Sequence, residues 1–181
     1  DFEVELLSPS KGLPVVFAKQ MKDPSFPTLL IYHHYDVQPV DPLELWDTDP
    51  FDPTMKDGKI YARGASDNKG QCFCTLTALK ALKELRCDLP INLKLFIEGE
   101  EESGGEGTHE VLKKEKAKLK ADYLAVIDCE MLGPNQPAIT LGYRGILAMN
   151  IECTNARADL HSGTHGGIAL NPNQILVRFL S

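Results

Sequence analysis

Three short apolar runs stand out along the chain, each nearly continuous and rich in branched aliphatic residues: residues 28–32 (TLLIY), 91–97 (INLKLFI) and 123–127 (YLAVI). Runs of this length and composition predict strands buried on both faces. Between the first two, residues 69–86 place Phe73, Leu76, Leu79, Leu82 and Leu85 at near-helical spacing, which predicts a long helix. Between the second and third, residues 108–120 predict a more exposed helix, with a run of lysines from Lys113 to Lys120 as its solvated face. Strand, helix, strand, helix, strand predicts an α/β fold with a largely parallel sheet and flanking helices. Near the end, Asn171-Pro172 reads as a helix start, a side-chain cap followed by proline at the first helical position. Ile175, Leu176, Phe179 and Leu180 continue that helix with the right spacing.

Each predicted strand runs directly into residues that bind metals. The first is followed by His33-His34-Tyr35-Asp36, the second by Glu98-Gly99-Glu100-Glu101-Glu102, the third by Asp128-Cys129-Glu130. In parallel α/β sheets, sites form at the carboxyl ends of strands. A fourth element, the loop Tyr61–Gly70, brings Asp67 to the start of the long helix, where its carboxylate would either cap the helix or join the acidic cluster. If the strands are neighbours, Asp36, Asp67, Glu98, Glu100, Glu101, Glu102 and Asp128 converge on one edge. Such a cluster repels itself and raises its own pKa values unless a counter-charge sits among it. Few cations lie at these strand ends, so divalent ions are the natural partner; carboxylate and imidazole suit zinc, manganese or cobalt.

Composition narrows the picture further. Among 181 residues, 19 are Lys or Arg and 26 are Asp or Glu, a formal charge of −7. That balance disfavours nucleic acid and anionic membrane as partners, since both need a basic footprint. No apolar run approaches the ~18 residues of a membrane span. The five cysteines, Cys72, Cys74, Cys87, Cys129 and Cys153, form no Cys-x-x-Cys pair and read as reduced, mostly buried thiols of a cytoplasmic protein. The chain opens on Asp1 and stops barely two turns into its last helix. This predicts native sequence beyond both ends, although a helix ending at Ser181 is the plainer reading.

At His34-Tyr35-Asp36, at Arg63-Gly64-Ala65-Ser66-Asp67-Asn68-Lys69-Gly70 and at Glu98-Gly99-Glu100-Glu101-Glu102-Ser103-Gly104 the chain resembles the co-catalytic metallo-exopeptidase family. Its members include carnosinase-type dipeptidases, glutamate carboxypeptidases, aminoacylase and succinyl-diaminopimelate desuccinylase. The likeness extends through Trp46, Pro50-Phe51, Asp57-Gly58 and Asp159-Leu160-His161-Ser162-Gly163, and HYDVQP with EGEEESG point to the carnosinase-like dipeptidase branch. The resemblance implies a metal-binding catalytic domain over residues 1–145 and, over 146–181, the start of an inserted α+β lid that also forms a homodimer.

Carried over residue by residue, the resemblance implies two divalent ions, zinc by affinity order or else manganese or cobalt. His34 and Asp128 would hold one, Glu102 the other, and Asp67 would bridge them. Asp36 would orient His34, Glu101 would be the general base, and His161 would act from the partner subunit on the scissile carbonyl. It also implies a cis peptide between Asp67 and Asn68. The downstream histidine that completes the second metal site in the family has no counterpart here. For Glu101 and Glu102 to divide their roles, the chain must turn after Ile97, and Gly99 is placed to permit it. Of the adjacent histidines only one can face the ions, because side chains alternate along a strand; the family's His-x-Asp spacing selects His34. Arg63 and Lys69 would partner nearby carboxylates, His109 faces solvent, His165 either lines the lid or is exposed, and Arg144 has no assigned role. The implied activity is hydrolysis of dipeptides or short peptides, with N-acyl amino acid hydrolysis, or a non-catalytic dimerisation module, as the alternatives.

Overall fold

The computed structural model describes residues 2–85 and 88–181. The strands are β1 (Glu3–Leu7), β2 (Val15–Gln20), β3 (Thr28–His34), β4 (Thr54–Lys56), β5 (Lys59–Tyr61), β6 (Asn92–Glu98) and β7 (Tyr123–Val126). The α-helices are α1 (Lys69–Glu84), α2 (Glu106–Lys114), α3 (Ser162–His165) and α4 (Pro172–Leu180). Contacts divide the chain into two compact units, Asp1–Ala138 and Ile139–Ser181.

In the first unit five strands form one sheet in the order β1-β2-β6-β3-β7. β3 pairs in parallel with β6 on one side and β7 on the other, His34 lying opposite Glu98 and Tyr32 opposite Val126. The three apolar runs thus become parallel neighbours whose carboxyl ends open on one edge. The sheet as a whole is mixed rather than largely parallel. The N-terminal hairpin β1–β2 joins β6 antiparallel through β2. β4 and β5 form a separate hairpin whose turn holds Asp57 and Gly58 at φ 51° and 72°, the Asp-Gly chemistry of a tight two-residue turn.

Strand alternation splits the core in two. Val15, Phe17 and Phe96 join Leu7, Val111 of α2 and Leu119, with Leu30 and Tyr32 packed against them. Ala18, Ile31 and Leu95 face the other way and meet Leu29, Phe2 and Leu79 of α1. The two helices therefore sit on opposite faces of the sheet.

Several expectations are corrected. The apolar stripe of α1 is only partly used: Leu79 and Leu82 are half-buried, whereas Phe73, Leu76 and Leu85 are exposed and the one fully buried helix residue is Thr75. β7 is an exposed strand, unlike β3 and β6, because it is the sheet's edge. α2 begins two residues earlier and ends six residues sooner than the pattern implied; residues beyond Lys114 continue as turns, tied down by Lys94 Nζ donating to the carbonyls of Lys118 and Lys120. Within the lysine run, Lys118 pairs with Glu5 and Glu115 rather than facing solvent alone. Cys72, Cys129 and Cys153 are half-buried and Cys74 is exposed, so burial of the thiols is partial; Cys87 and the expected helix end at Arg86 lie outside the described residues.

In the second unit, Asn171 caps α4 by accepting from the Asn173 N–H at 2.9 Å, with Pro172 at the first turn. The segment's described elements are helices; no strand is among them. No helix among the described residues is long and apolar enough to cross a membrane.

Candidate metal centre

His34 ends β3 and is fully buried. Its Nδ1–H donates to Asp36 Oδ1 at 3.1 Å, and the other Asp36 oxygen accepts the backbone N–H of Glu102 at 2.9 Å. The other ring nitrogen, Nε2, faces a set of acids: Asp67 Oδ1 at 2.8 Å, Asp128 Oδ2 at 3.4 Å and Glu101 Oε2 at 4.0 Å. Ligand atoms of His34, Asp67 and Glu102 all lie within 4.8 Å of one another. An imidazole nitrogen this close to several carboxylates needs a proton or a cation between them. Two ligand atoms on one tetrahedral zinc are on the order of 3.3 Å apart, given metal–ligand distances of ~2.0–2.2 Å. The donor set and its spacing therefore fit a divalent ion.

Titration behaviour follows from the crowding. Burial pushes the His34 pKa down, but the charges of Asp128, Asp67 and Asp36 outweigh it and the net shift is upward. Burial raises Glu101, and Glu102, Asp128 and Asp67 raise it further against the pull of His34.

Asp67 is delivered by a cis peptide to Asn68 at the entrance of α1. It makes no capping bond; α1 has no side-chain cap, and the Asp67 carboxylate goes to His34 instead. Lys69 Nζ donates to the Tyr35 carbonyl, and Arg63 donates to the Pro39 carbonyl and stacks over Trp46. The two cations flanking Asp67 thus bind carbonyls, not the acids expected.

The acidic run after β6 divides. Glu98 is buried and accepts from the Tyr32 hydroxyl at 2.8 Å, the Thr108 hydroxyl at 2.7 Å and the Glu100 N–H at 2.6 Å. Glu100 accepts from Leu13 N–H and, at the start of α2, from Gly107 and Thr108 N–H. Both leave the expected cluster because backbone and hydroxyl donors already claim them. The turn that separates Glu101 from Glu102 is a 3-10 turn, Glu101–Ser103, closed by Gly104 at φ 99°. Gly99 serves another end: a Cβ there would lie 2.4 Å from the Tyr35 ring.

Three residues without an expected role belong to the site. Gln38 donates to Glu102 Oε2 at 2.7 Å. Asn68, fully buried, donates to Asp128 Oδ1 at 2.7 Å and to the Ile127 carbonyl at 2.9 Å. His33 turns to the α1 side of the sheet, away from the acids, and bonds Asn68 and Thr75; burial lowers its pKa. An amide next to a ligand-type aspartate was the available signal for Asn68; nothing in the spacing marks Gln38.

In the second unit His161 is exposed, and its Nδ1 accepts the Gly163 N–H at 3.1 Å, capping α3. His109 and His165 are exposed as well.

Residues 30–178 match the sequence profile of peptidase family M20/M25/M40. The chain is similar to the Cys-Gly metallodipeptidase of Schizosaccharomyces pombe, 41% identical over 93% of this chain and 36% of that protein. It is likewise similar to the human Beta-Ala-His dipeptidase, 41% identical over 92% of this chain and 33% of that protein. Among solved structures, the dipeptidase Dug1p of Saccharomyces cerevisiae aligns with a TM-score of 0.69 and 32% identity, over 99% of this chain and 40% of that one. An M20 family metallo-carboxypeptidase of Sulfolobus solfataricus aligns with a TM-score of 0.66 and 42% identity, over 72% of this chain and 29% of that one. The chain spans about a third of the length of these curated relatives.

Proposed function

The chain belongs to peptidase family M20/M25/M40, and from that premise we propose that the protein carrying it hydrolyses the peptide bond of dipeptides in a metal-dependent reaction. The observation that carries this reading is His34 Nε2 facing carboxylate oxygens of Asp67, Asp128 and Glu101 at 2.8, 3.4 and 4.0 Å. Similarity to a Cys-Gly metallodipeptidase and a Beta-Ala-His dipeptidase supports the choice of a short peptide.

His34, Asp67 and Asp128 would hold one ion, and Asp67 and Glu102 a second, zinc being favoured over manganese or cobalt by the affinity order for imidazole and carboxylate. When bound, two divalent ions supply an acidified water and polarise a carbonyl. Asp36 fixes the His34 tautomer, so that the ring offers Nε2 as ligand, and it holds the Glu102 backbone through its other oxygen. Glu101 stands beside the ligands and is half-exposed. It takes the proton of the attacking water and returns it to the leaving amine. Burial and neighbouring acids raise its proton affinity, which suits a carboxylate that must carry that proton between the two steps.

His161 is the candidate donor to the scissile carbonyl, acting from a second copy of the chain in a homodimer. Its exposed ring supports this: with Nδ1 accepting from Gly163, the neutral ring carries its proton on Nε2. Residues 146–181 would then belong to the lid and dimer interface, and the partly exposed thiols are compatible with a cytoplasmic setting.

Assaying the full-length protein on dipeptides and on N-acetyl amino acids, with and without chelator, tests the reading. Chelator-sensitive dipeptide cleavage is the expected result. Preference for the N-acyl substrates would reassign it as an amidohydrolase, and no chelator-sensitive cleavage of either would overturn it.

A further inference from the structure

A chain of buried hydrogen bonds runs from α1 to the candidate centre, and the proposed chemistry does not use it. Thr75 Oγ1 lies 3.0 Å from His33 Nε2, His33 Nδ1 lies 2.7 Å from Asn68 Oδ1, and Asn68 Nδ2 lies 2.7 Å from Asp128 Oδ1. All three linking side chains are buried, Asn68 and His33 almost completely. The Asn68 amide sets the direction of these bonds when the His33 ring is neutral. The Asn68 amide must present its oxygen to the His34 backbone N–H, 3.3 Å away, and its NH₂ to the Ile127 carbonyl; a flipped amide would set donor against donor and oxygen against oxygen. Since that oxygen only accepts, His33 carries its proton on Nδ1. Its Nε2 then accepts, and the Thr75 hydroxyl donates.

We infer that Asn68, locked by His33 and Thr75, is the positioning residue that decides which oxygen of Asp128 faces the ion. Its N–H occupies Oδ1, and Oδ2 is left 3.4 Å from His34 Nε2. Asp128 therefore offers the site a single oxygen. The same amide ties together the ends of β3 and β7 and the start of α1, three elements that each deliver a metal-type ligand. His33 and Thr75 hold the amide from the far side, so that it cannot turn to solvent or flip. Buried partners of this kind are worth about 10–100-fold in metal affinity when removed. This inference rests on the metal-dependent reading above.

The test is cobalt binding to the metal-free full-length protein, followed by visible absorption and by competition with zinc. Asn68→Ala, checked for an unchanged thermal transition, should weaken cobalt about 10–100-fold and alter the absorption spectrum, because both Asp128 oxygens become available. Thr75→Val should change both in the same direction by less, and Thr75→Ser should restore them. Should Asn68→Ala fail to fold, the Thr75 pair decides alone, since it changes one hydroxyl at constant shape. Wild-type affinity and spectrum in Asn68→Ala, or in Thr75→Val when only that pair can be read, would overturn the inference. Failure of the parent reading looks different: His34→Ala would then bind cobalt as the wild type does. In turnover, Asn68→Ala should lower kcat with little change in KM, as expected of a group that acts on the metal site rather than on substrate binding.

Discussion

Two groups of carboxylates meet near the end of β6 and differ in what surrounds them. Glu98 and Glu100 each accept three hydrogen bonds from backbone or hydroxyl donors. Glu101, with Asp67 and Asp128, is directed at a single imidazole nitrogen. A carboxylate with several donors keeps its charge at little cost. Carboxylates gathered round one imidazole nitrogen have oxygens to offer a cation instead. Neighbouring glutamates of identical chemistry are thereby sorted into a structural pair and a candidate metal-and-base set, and the sorting comes from donor supply rather than from position in the run.

The contrast breaks most visibly at Glu101. Glu101→Gln should leave metal content unchanged and reduce kcat about 10²–10⁴-fold, the usual contribution of a general base. Retained turnover in a steady-state assay would place Glu101 with the structural pair. Glu100→Gln should behave in the opposite way. It weakens the anionic contact with the first turn of α2, costing about 0.3–1 kcal/mol in a denaturant titration, while bound metal stays the same. A loss of metal in that variant would erase the distinction between the two groups.

A smaller, graded effect comes from pH. The His34 pKa lies above its ordinary value in the metal-free protein. Below that raised pKa a proton holds Nε2, so metal affinity should fall by up to about tenfold per pH unit as pH drops. The sign reverses for stability of the metal-free fold. The group's contribution is fully present below ~6.5, its ordinary pKa, and is lost as pH rises through the raised value. Calorimetric metal titrations at several pH values read the first effect; a pH-independent affinity would mean that Nε2 is not a ligand.

Much of this was legible in the residues. The first two apolar runs became buried parallel neighbours because short branched-aliphatic runs have few other ways to bury themselves; the third joined them as an exposed edge, and His34, Asp36, Glu101, Glu102 and Asp128 lie at the carboxyl ends of the three. The strand β2 is hidden in the sequence: Lys19 interrupts its apolar pattern, and its pairing with β6 is set by tertiary contact. The divided fate of the acidic run was also hidden. Whether Glu98 or Glu101 faces the site depends on Tyr32, 66 positions away, and on Thr108 in the next helix, donors that only the folded chain brings near. Asn68 was visible as a neighbour of Asp67, but its bonds to His33 and Asp128 span 35 and 60 positions, a distance that local spacing does not encode.

The central claim is that His34 and its facing carboxylates hold divalent ions. Elemental analysis of the full-length protein, purified in parallel with its His34→Ala variant after equilibration with zinc, tests it most directly. Two ions per subunit in the wild type and a clear loss in the variant are predicted. Equal metal in both proteins, or none in either, would contradict it.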